Sequence, residues 1–174
     1  MFDPKKLGES FYTRDVLEVA PELPGKYLAI NIDHTVKKYL ITEVEAYRGE
    51  EDKACHASKG RTSRTEIMYH KGGHIYVYLI YGMYWMLNFV TGEENIPQAV
   101  LIRGLEDLRG PGKLTKSLGI DKSFYGRDLV TSAFIWVEDH GLIPEVITSP
   151  RIGVDYSGEP WVSKPWRYFL KQMP

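Results

Sequence analysis

Apolar and polar residues alternate in short runs along much of the chain, and several of these runs are rich in β-branched and aromatic residues. Runs of this kind predict strands. The predicted strands are 27–32, 38–47, 74–80, 83–90 and 99–105. The first two flank Asp33-His34-Thr35, and the next two flank Tyr81-Gly82. We therefore expect two β-hairpins followed by one further strand.

Helical signals are fewer and shorter. Thr13 to Ala20 opens with a residue suited to capping and predicts a helix that ends near Pro21. Ser63-Arg64-Thr65-Glu66 has the form of a capping box and predicts a helix that stops at Lys71-Gly72-Gly73. The third predicted helix is Pro111 to Leu118. Because strands and helices do not alternate in a repeating pattern, we expect an α+β domain around an antiparallel sheet.

The size and composition of the chain are those of one folded domain. It has 174 residues, of which 43% are apolar and 26% charged, and this excludes a disordered or fibrous class. It contains no long repeat, low-complexity tract or linker that would mark a second domain. We therefore expect a single domain spanning residues 1–174.

The charge balance is a weak guide to the partner. The formal net charge is -1, whereas domains that bind nucleic acid usually carry a clear basic excess. Basic residues nevertheless gather between Lys53 and His74. Taken alone, such a run is more typical of a solvated surface than of a binding site.

Three features bear on the compartment. Cys55 is the only cysteine and has no internal partner for a disulfide, and Met1 to Lys6 lack the charged-then-apolar layout of a signal peptide. The uncharged run from Ile75 to Val90 is too short for a comfortable membrane span. We expect a cytoplasmic protein, associated with the nucleoid in a bacterium, without a membrane partner.

One predicted strand carries candidate catalytic residues. Side chains alternate along a strand, so Glu43, Glu45 and Tyr47 should share one face, with Val44 and Ala46 on the other. On a solvent-facing strand this pattern has no functional meaning. If aromatic rings wall the face, one of the carboxylates would be a candidate general base.

Polar residues in apolar runs and a tyrosine in a turn are further candidates. Asn88 and Arg103 would each be costly to bury unpaired, so the structural interpretation is a backbone hydrogen bond for Asn88 and an internal ion pair for Arg103. The functional interpretation is that both face the same pocket as Glu45. Tyr81 lies at a hairpin tip, where a ring is well placed to insert between stacked bases. Because the histidines and the single cysteine show no paired spacing, we expect no metal site, and His56 is more often a structural residue than a ligand.

Six segments of the chain carry a resemblance to a known family. They are Phe11 to Ala20, Glu43 to Tyr47, Tyr76 to Met83, Leu87-Asn88, Gly110 to Leu114 and Arg151 to Val154. In this order and over nearly the whole chain, they resemble the 3-methyladenine (alkyladenine) DNA glycosylase family. The resemblance implies a curved antiparallel sheet surrounded by short helices, with a protruding β-hairpin.

The activity that the resemblance implies is base-excision repair. Such an enzyme flips a damaged purine, alkylated or deaminated, out of double-stranded DNA and hydrolyses its N-glycosidic bond to leave an abasic site. The resemblance implies that Glu45 activates the attacking water, with Arg103 and the Ile152 carbonyl as further partners of that water. Tyr47, His56 and Tyr78 match residues that stack on the flipped base or bind its edge, and Asn88 matches a residue that discriminates against normal guanine.

The resemblance also implies how DNA is held. Tyr81 matches the wedge that fills the gap in the duplex. The positions that match contacts to the DNA backbone or groove are Thr62, Arg64, Met83, Tyr84, Lys113 and Lys122. No lysine occupies the position of a Schiff-base nucleophile, so we expect a monofunctional DNA glycosylase. We also expect that the enzyme needs no cofactor and acts as a monomer.

Two departures and two alternatives stay open. Thr65 stands where the family usually has asparagine, and Asp107-Leu108-Arg109 is shorter than the usual insertion. A catalytically silent module that marks distorted DNA is one alternative, although it would be free to lose Glu45 and Arg103. An acyl- or formyl-transfer protein is the other, and no nucleophile elbow or metal motif supports it.

Overall fold

The computed structural model describes residues 5–171, so the opening residues, on which the expectation about a signal peptide partly rests, lie outside it. The helices are α1 (Glu9–Tyr12), α2 (Val16–Glu22) and α3 (Pro111–Leu118). The strands are β1 (Lys5–Lys6), β2 (Tyr27–Ile32), β3 (Thr35–Tyr47), β4 (Ile75–Ile80), β5 (Tyr84–Thr91), β6 (Gln98–Leu105), β7 (Leu108–Arg109), β8 (Ile135–Asp139), β9 (Val146–Ser149) and β10 (Arg167–Leu170).

The strands form one connected ten-stranded sheet in which every pairing is antiparallel. Its main path runs β1-β8-β2-β3-β6-β5-β4, with β7 added to β6 and with β10 joining β3 to β9. An antiparallel sheet with a few short helices is the α+β class expected from the sequence. That the whole of residues 1–174 is one domain stays a prediction.

The long strand β3 organises this sheet. Its first half pairs with β2, and its second half lies between β6 and β10. The register between β3 and β6 shifts on both sides of Glu43, which marks a bulge or irregularity at that residue. Glu45, in the part of β3 that follows this irregularity, lies opposite Leu101 of β6 and Arg167 of β10.

The two faces of the sheet are covered by different parts of the chain. The larger apolar cluster includes Val44 and Ala46 of β3 together with buried residues of α2 and α3. A smaller cluster contains Cys55, Ala57, Ile67, Met68, Tyr76, Val90 and Ala99, with Tyr47 and Tyr78 packed against it. The segment between β3 and β4 therefore covers the face that carries Tyr47, while the helices pack on the opposite face.

Both hairpins predicted from the sequence are present. The turn between β2 and β3 has φ of 48° at Asp33 and 63° at His34, and the turn between β4 and β5 has φ of 54° at Tyr81 and 66° at Gly82. Left-handed backbone at two successive residues matches the twist of the strands that such tight turns connect. Tyr81 adopts this backbone without the freedom of glycine, and the Met83 N–H donates to the Ile80 carbonyl at 3.1 Å to close the turn.

Two of the helix predictions need correction. The N-cap of α2 is Asp15, whose Oδ1 accepts the Leu17 N–H at 2.9 Å, and Thr13 instead ends α1. The end of this helix agrees with the expectation, since α2 closes at Glu22, one residue after Pro21.

The capping box predicted at Ser63 does not form. Only one 3₁₀ turn, Glu66–Tyr69, follows it, and its N-cap is Thr65 without a side-chain cap. The Glu66 carboxylate is bound instead by Arg61, with an Nη2–Oε1 distance of 2.7 Å. The helix predicted over Pro111 to Leu118 matches α3 in both bounds. No helix among the described residues is long and apolar enough to cross a membrane.

Gly72, which leads from the 3₁₀ turn towards β4, should tolerate no side chain. A Cβ there would lie 2.2 Å from the Tyr12 carbonyl oxygen, which is backbone and cannot rotate away. We expect Gly72→Ala to lower the free energy of unfolding in urea by about 2 kcal/mol or more. Gly8→Ala, where no atom lies within 4 Å, is the control, and it should change the free energy by less than about 1 kcal/mol. Equal stability of the two variants would contradict the close approach.

Candidate active site

Glu45 is a carboxylate buried inside the sheet, with 0% of its surface exposed. Its Oε2 accepts a hydrogen bond from the Tyr47 hydroxyl at 2.8 Å, and its Oε1 accepts one from the Ile152 N–H at 2.8 Å. The Nε of Arg103 lies 3.4 Å from the same Oε1. A buried carboxylate is costly unless it is paired and hydrogen-bonded, and here the main chain, a hydroxyl and a guanidinium meet that requirement.

The protonation of this carboxyl group reflects two opposing influences. Burial raises the pKa of Glu45 above its ordinary value, while Arg103, the Ile152 N–H and the Tyr47 hydroxyl lower it. Burial, followed by the charge of Glu45, raises the pKa of Tyr47 well above its usual range, so that the hydroxyl stays protonated and can donate. A carboxylate with a raised pKa is better suited than an ordinary one to accept a proton near neutral pH.

A row of residues crosses the sheet from Glu45. In register, Glu45 pairs with Leu101 of β6, Leu101 pairs with Asn88 of β5, and Asn88 pairs with Tyr76 of β4. Directly paired residues in an antiparallel sheet point to the same face, so Asn88 shares the face of Glu45. The Nδ2 of Asn88 donates to the Tyr76 and Met86 carbonyls at 3.2 and 3.3 Å, which fixes the orientation of the amide.

Aromatic rings line the β4 side of this face. The Nδ1 of His56 lies 2.9 Å from the Tyr76 hydroxyl, and its ring meets the edge of Tyr78 at a centroid distance of 4.5 Å. The guanidinium carbon of Arg64 lies 5.1 Å from the centre of the Tyr78 ring. Burial, with smaller contributions from Arg64 and Lys59, lowers the pKa of His56 to about 4, so the imidazole is neutral at physiological pH.

Arg103 is shared between two carboxylates. Its Nε lies 3.3 Å from Oε1 of Glu43 and 3.4 Å from Oε1 of Glu45. Arg167 of β10 binds Glu43 from the other side, with its Nε 2.6 Å from the same Oε1. The internal ion pair that the sequence suggested for Arg103 is therefore present, and Arg103 also faces Glu45, so the two interpretations of this residue are compatible.

Two site-forming residues were not identified from the sequence. Arg151 and Asp52 form an ion pair in which both side chains are 0% exposed, and Ile152 follows Arg151 directly. The sequence indicates Arg151 only as part of a family-like segment and does not indicate Asp52. The one available signal is that the charged residue Arg151 begins the otherwise uncharged motif Arg151 to Val154. Nothing in the sequence indicates that Arg151 pairs with Asp52.

The remaining sequence candidates lie on the surface. Tyr81 is 85% exposed at the tip of the β4–β5 hairpin. The other exposed candidates are Thr62, Arg64, Met83, Tyr84, Lys113 and Lys122. Met83 and Tyr84 line a cavity of about 290 Å³ between the hairpin and α3, and none of the residues around Glu45 contributes to its wall. The structure thus separates a buried group around Glu45 from an exposed group that includes the hairpin tip.

A family model described as methylpurine-DNA glycosylase (MPG) matches residues 10–109 and 105–174. The chain belongs to the methylpurine-DNA glycosylase family. A protein of Methanocella arvoryzae is 42% identical over 188 residues, covering 97% of this chain and 94% of its own. One of Legionella pneumophila strain Lens is 44% identical over 178 residues, covering 98% and 97%, and one of Psychrobacter cryohalolentis is 41% identical over 197 residues, covering 95% and 92%. Each of these relatives is named "Putative 3-methyladenine DNA glycosylase".

The resemblance inferred from six segments is confirmed by this family membership. The departure at Thr65 has a local explanation in the structure. Thr65 is 3% exposed, its Oγ1 accepts the Thr62 N–H at 2.9 Å, and the same oxygen lies 3.1 Å from the Gly60 carbonyl. A threonine here holds the loop that carries Thr62 and Arg64. In the short segment Asp107-Leu108-Arg109, Asp107 lies in the tight turn between β6 and β7, with φ of 62°, and Leu108 and Arg109 form β7.

The imidazole of His56 should resist protonation. Because burial and the charge of Arg64 lower its pKa to about 4, NMR titration of the ring should show a midpoint far below the ordinary value of 6.5. We expect Arg64→Gln to move that midpoint upward, since it removes a positive charge, whereas the remote substitution Arg14→Gln should leave it in place. A wild-type midpoint near 6.5 would contradict this environment.

Proposed function

We propose that this chain is a DNA glycosylase of base-excision repair that hydrolyses the N-glycosidic bond of a damaged purine. Glu45 accepts a proton from a water molecule, and the oxygen of that water attacks C1′ of the sugar. The bond between C1′ and the base nitrogen breaks, the base leaves with the bonding electrons, and an abasic site remains. Family membership and the geometry around Glu45 support this proposal.

The observation that carries the proposal is the environment of Glu45. Burying a carboxylate costs stability even when a hydroxyl, a main-chain N–H and a guanidinium bind it, so the burial of Glu45 favours a functional over a purely structural role. It also lies on the sheet face on which Asn88 and the aromatic rings converge. Arg103 is adjacent and suits a second role, because it can attract both the attacking water and a backbone phosphate.

Recognition of the base follows from the same face. Electron-rich rings such as Tyr47 and Tyr78 attract an alkylated purine, which carries positive charge, through cation–π interaction. Stacking returns roughly 1 to 3 kcal/mol per base, which offsets the few kcal/mol that flipping costs. In this proposal Asn88, whose amide is fixed by two carbonyls, discriminates against normal guanine, and His56 binds the edge of the flipped base.

Binding of double-stranded DNA is assigned to the exposed group. Tyr81 fills the gap left by the flipped nucleotide, while Thr62, Arg64, Met83, Tyr84, Lys113 and Lys122 contact the backbone or groove. These contacts release counterions, so affinity should fall as salt rises. The proposed enzyme is monofunctional and does not cut the strand, because this chain has no lysine at the position where the family would carry a Schiff-base nucleophile. We propose that the enzyme acts as a monomer in the cytoplasm.

Glu45→Gln should abolish base release while leaving lesion binding nearly intact. The amide keeps the shape of the carboxylate but cannot accept the proton, so the single-turnover rate should fall roughly a hundredfold or more. The measurement uses duplex oligonucleotides that carry hypoxanthine or ethenoadenine, with alkaline heating to reveal abasic sites.

Glu43→Gln is the matched control, because Glu43 lies two residues away on β3 and also contacts Arg103. It should slow release far less than Glu45→Gln. Wild-type turnover in Glu45→Gln would refute the mechanism. Tight lesion binding by a wild type that never releases a base would favour a silent module that marks distorted DNA.

Tyr81→Ser should weaken capture of the flipped state. The ring at the exposed hairpin tip is the part that fills the duplex, so its removal should raise the dissociation constant for lesion DNA, measured by fluorescence anisotropy. Tyr81→Phe keeps the ring and should bind like the wild type. If Tyr81→Phe bound as weakly as Tyr81→Ser, the hydroxyl and not the ring would be responsible.

A further inference from the structure

The most completely enclosed ion pair in the described part of the chain joins Arg151 to Asp52. Nη1 of Arg151 lies 2.6 Å from Oδ2 of Asp52 and Nη2 lies 2.9 Å from Oδ1, which is a two-pronged contact with both side chains fully buried. Nη1 also donates to the Ala46 carbonyl at 3.0 Å, and Nη2 donates to the Trp161 carbonyl at 3.2 Å. The planar fork of the guanidinium therefore holds four acceptors in fixed directions.

These acceptors belong to separate parts of the chain. Ala46 lies in β3 directly after Glu45, whereas Trp161 lies in the segment before β10. Asp52 lies in the loop that leads to His56, and its carboxylate accepts the Arg48 and Ala54 N–H groups at 3.0 and 3.1 Å. The ion pair thus ties the catalytic strand, the loop before His56 and the segment around Ile152 to one point.

Arg151 also touches the groups that bind Glu45. The peptide that follows it presents the Ile152 N–H to Oε1 of Glu45. Its guanidinium carbon lies 4.9 Å from the centre of the Tyr47 ring, whose hydroxyl binds Oε2, and 5.0 Å from the centre of the Trp166 ring on another segment. Two of the three groups that bind Glu45 therefore adjoin Arg151, and the third, Arg103, comes from β6.

We infer that Arg151, held by Asp52, is a positioning residue of the proposed reaction, which orients the Glu45 carboxylate through the Ile152 N–H and the Tyr47 ring. This inference rests on the proposed function. A misplacement of about 1 Å in a catalytic group can cost about a hundredfold in rate, so a residue that fixes two of the three partners of Glu45 has a direct route to the rate.

A purely structural role would have different consequences. Buried ion pairs are often replaceable by apolar residues without loss of stability, so burial alone does not explain this pair. The charged and titratable groups around Glu45 include Arg103 of β6, Tyr47 of β3, Tyr78 of β4, Tyr156 and Arg151 itself, and the charge of Arg151 lowers the pKa of Glu45. Loss of that charge should raise this pKa, and hence shift the acid limb of the rate profile to higher pH.

The test compares Arg151→Lys with the double variant Asp52→Asn/Arg151→Met in single-turnover base release across pH, beside binding of lesion DNA. Arg151→Lys keeps the charge and loses the fork, so the rate should fall roughly ten- to hundredfold with little change in affinity or in the acid limb. The double variant removes both charges, of which Arg151 and not Asp52 is among the groups that shift the pKa of Glu45, so it should lose rate and also move the acid limb to higher pH. Arg14→Lys, which alters a two-pronged but exposed pair with Glu22, is the matched control and should behave as wild type.

The outcomes separate the two proposals. Folded variants with wild-type rates and pH profiles would overturn the inference, and failure of both variants to fold would do so as well, because it would assign the pair to stability alone. An equal shift of the acid limb in both variants would show an effect of fold rather than of charge, and would also overturn it. If the wild type releases no damaged base, or if Glu45→Gln releases it at the same rate, the proposed function itself fails.

Discussion

The burial of a single carboxylate imposes the main constraint on this structure. Glu45 has no exposed surface, and an ionised carboxylate removed from water needs hydrogen-bond donors or positive charge close by. Its three partners come from β3, β6 and the segment after β9, which meet only when the sheet has formed. The pairing of β3 with β6 on one side and β10 on the other satisfies this need as well as the hydrogen bonds of the strand itself.

The two faces of the sheet differ in composition, and the burial of Glu45 explains why this difference matters for stability. The face with Val44 and Ala46 carries the larger apolar cluster, so α2 and α3 stabilise the fold there mainly through buried apolar side chains. The opposite face has a smaller cluster, and polar side chains share it with aromatic rings. Because burial raises the pKa of Glu45, the charged form of this residue weakens the fold. Folding free energy from the first face must compensate for that cost.

Structural features that depend on residues close together in the chain could be predicted from the sequence. Alternation along β3 correctly separated Glu45 and Tyr47 from Val44 and Ala46, and the start and end residues of α3 gave its bounds. Helix capping was less predictable, because Thr13 and Asp15 are both suitable caps and only the folded geometry shows that the Asp15 oxygen reaches the Leu17 N–H. Glu66 could complete a capping box by type, but Arg61 binds it instead.

Contacts between distant residues set the limit of that prediction. No local pattern indicates that Arg151 meets Asp52, since the pair spans 99 positions and each residue looks like an ordinary surface charge. The short strands β8, β9 and β10 carry too few residues for an alternating pattern to stand out from loop sequence. The site is therefore predictable in its central strand and not in the segments that close it.

Because the chain is synthesised from its N-terminus, the groups that bind Glu45 become available at different times. Glu45 emerges early, but Ile152, whose N–H binds it, is 107 positions later, and Arg167 of the pairing strand follows later still. A nascent chain that has formed the first hairpin carries the carboxylate and Tyr47 but lacks Arg103 and the Ile152 N–H. The groups around Glu45 are thus complete only when most of the polypeptide has been synthesised, so under the proposed mechanism a partly made chain lacks an oriented general base.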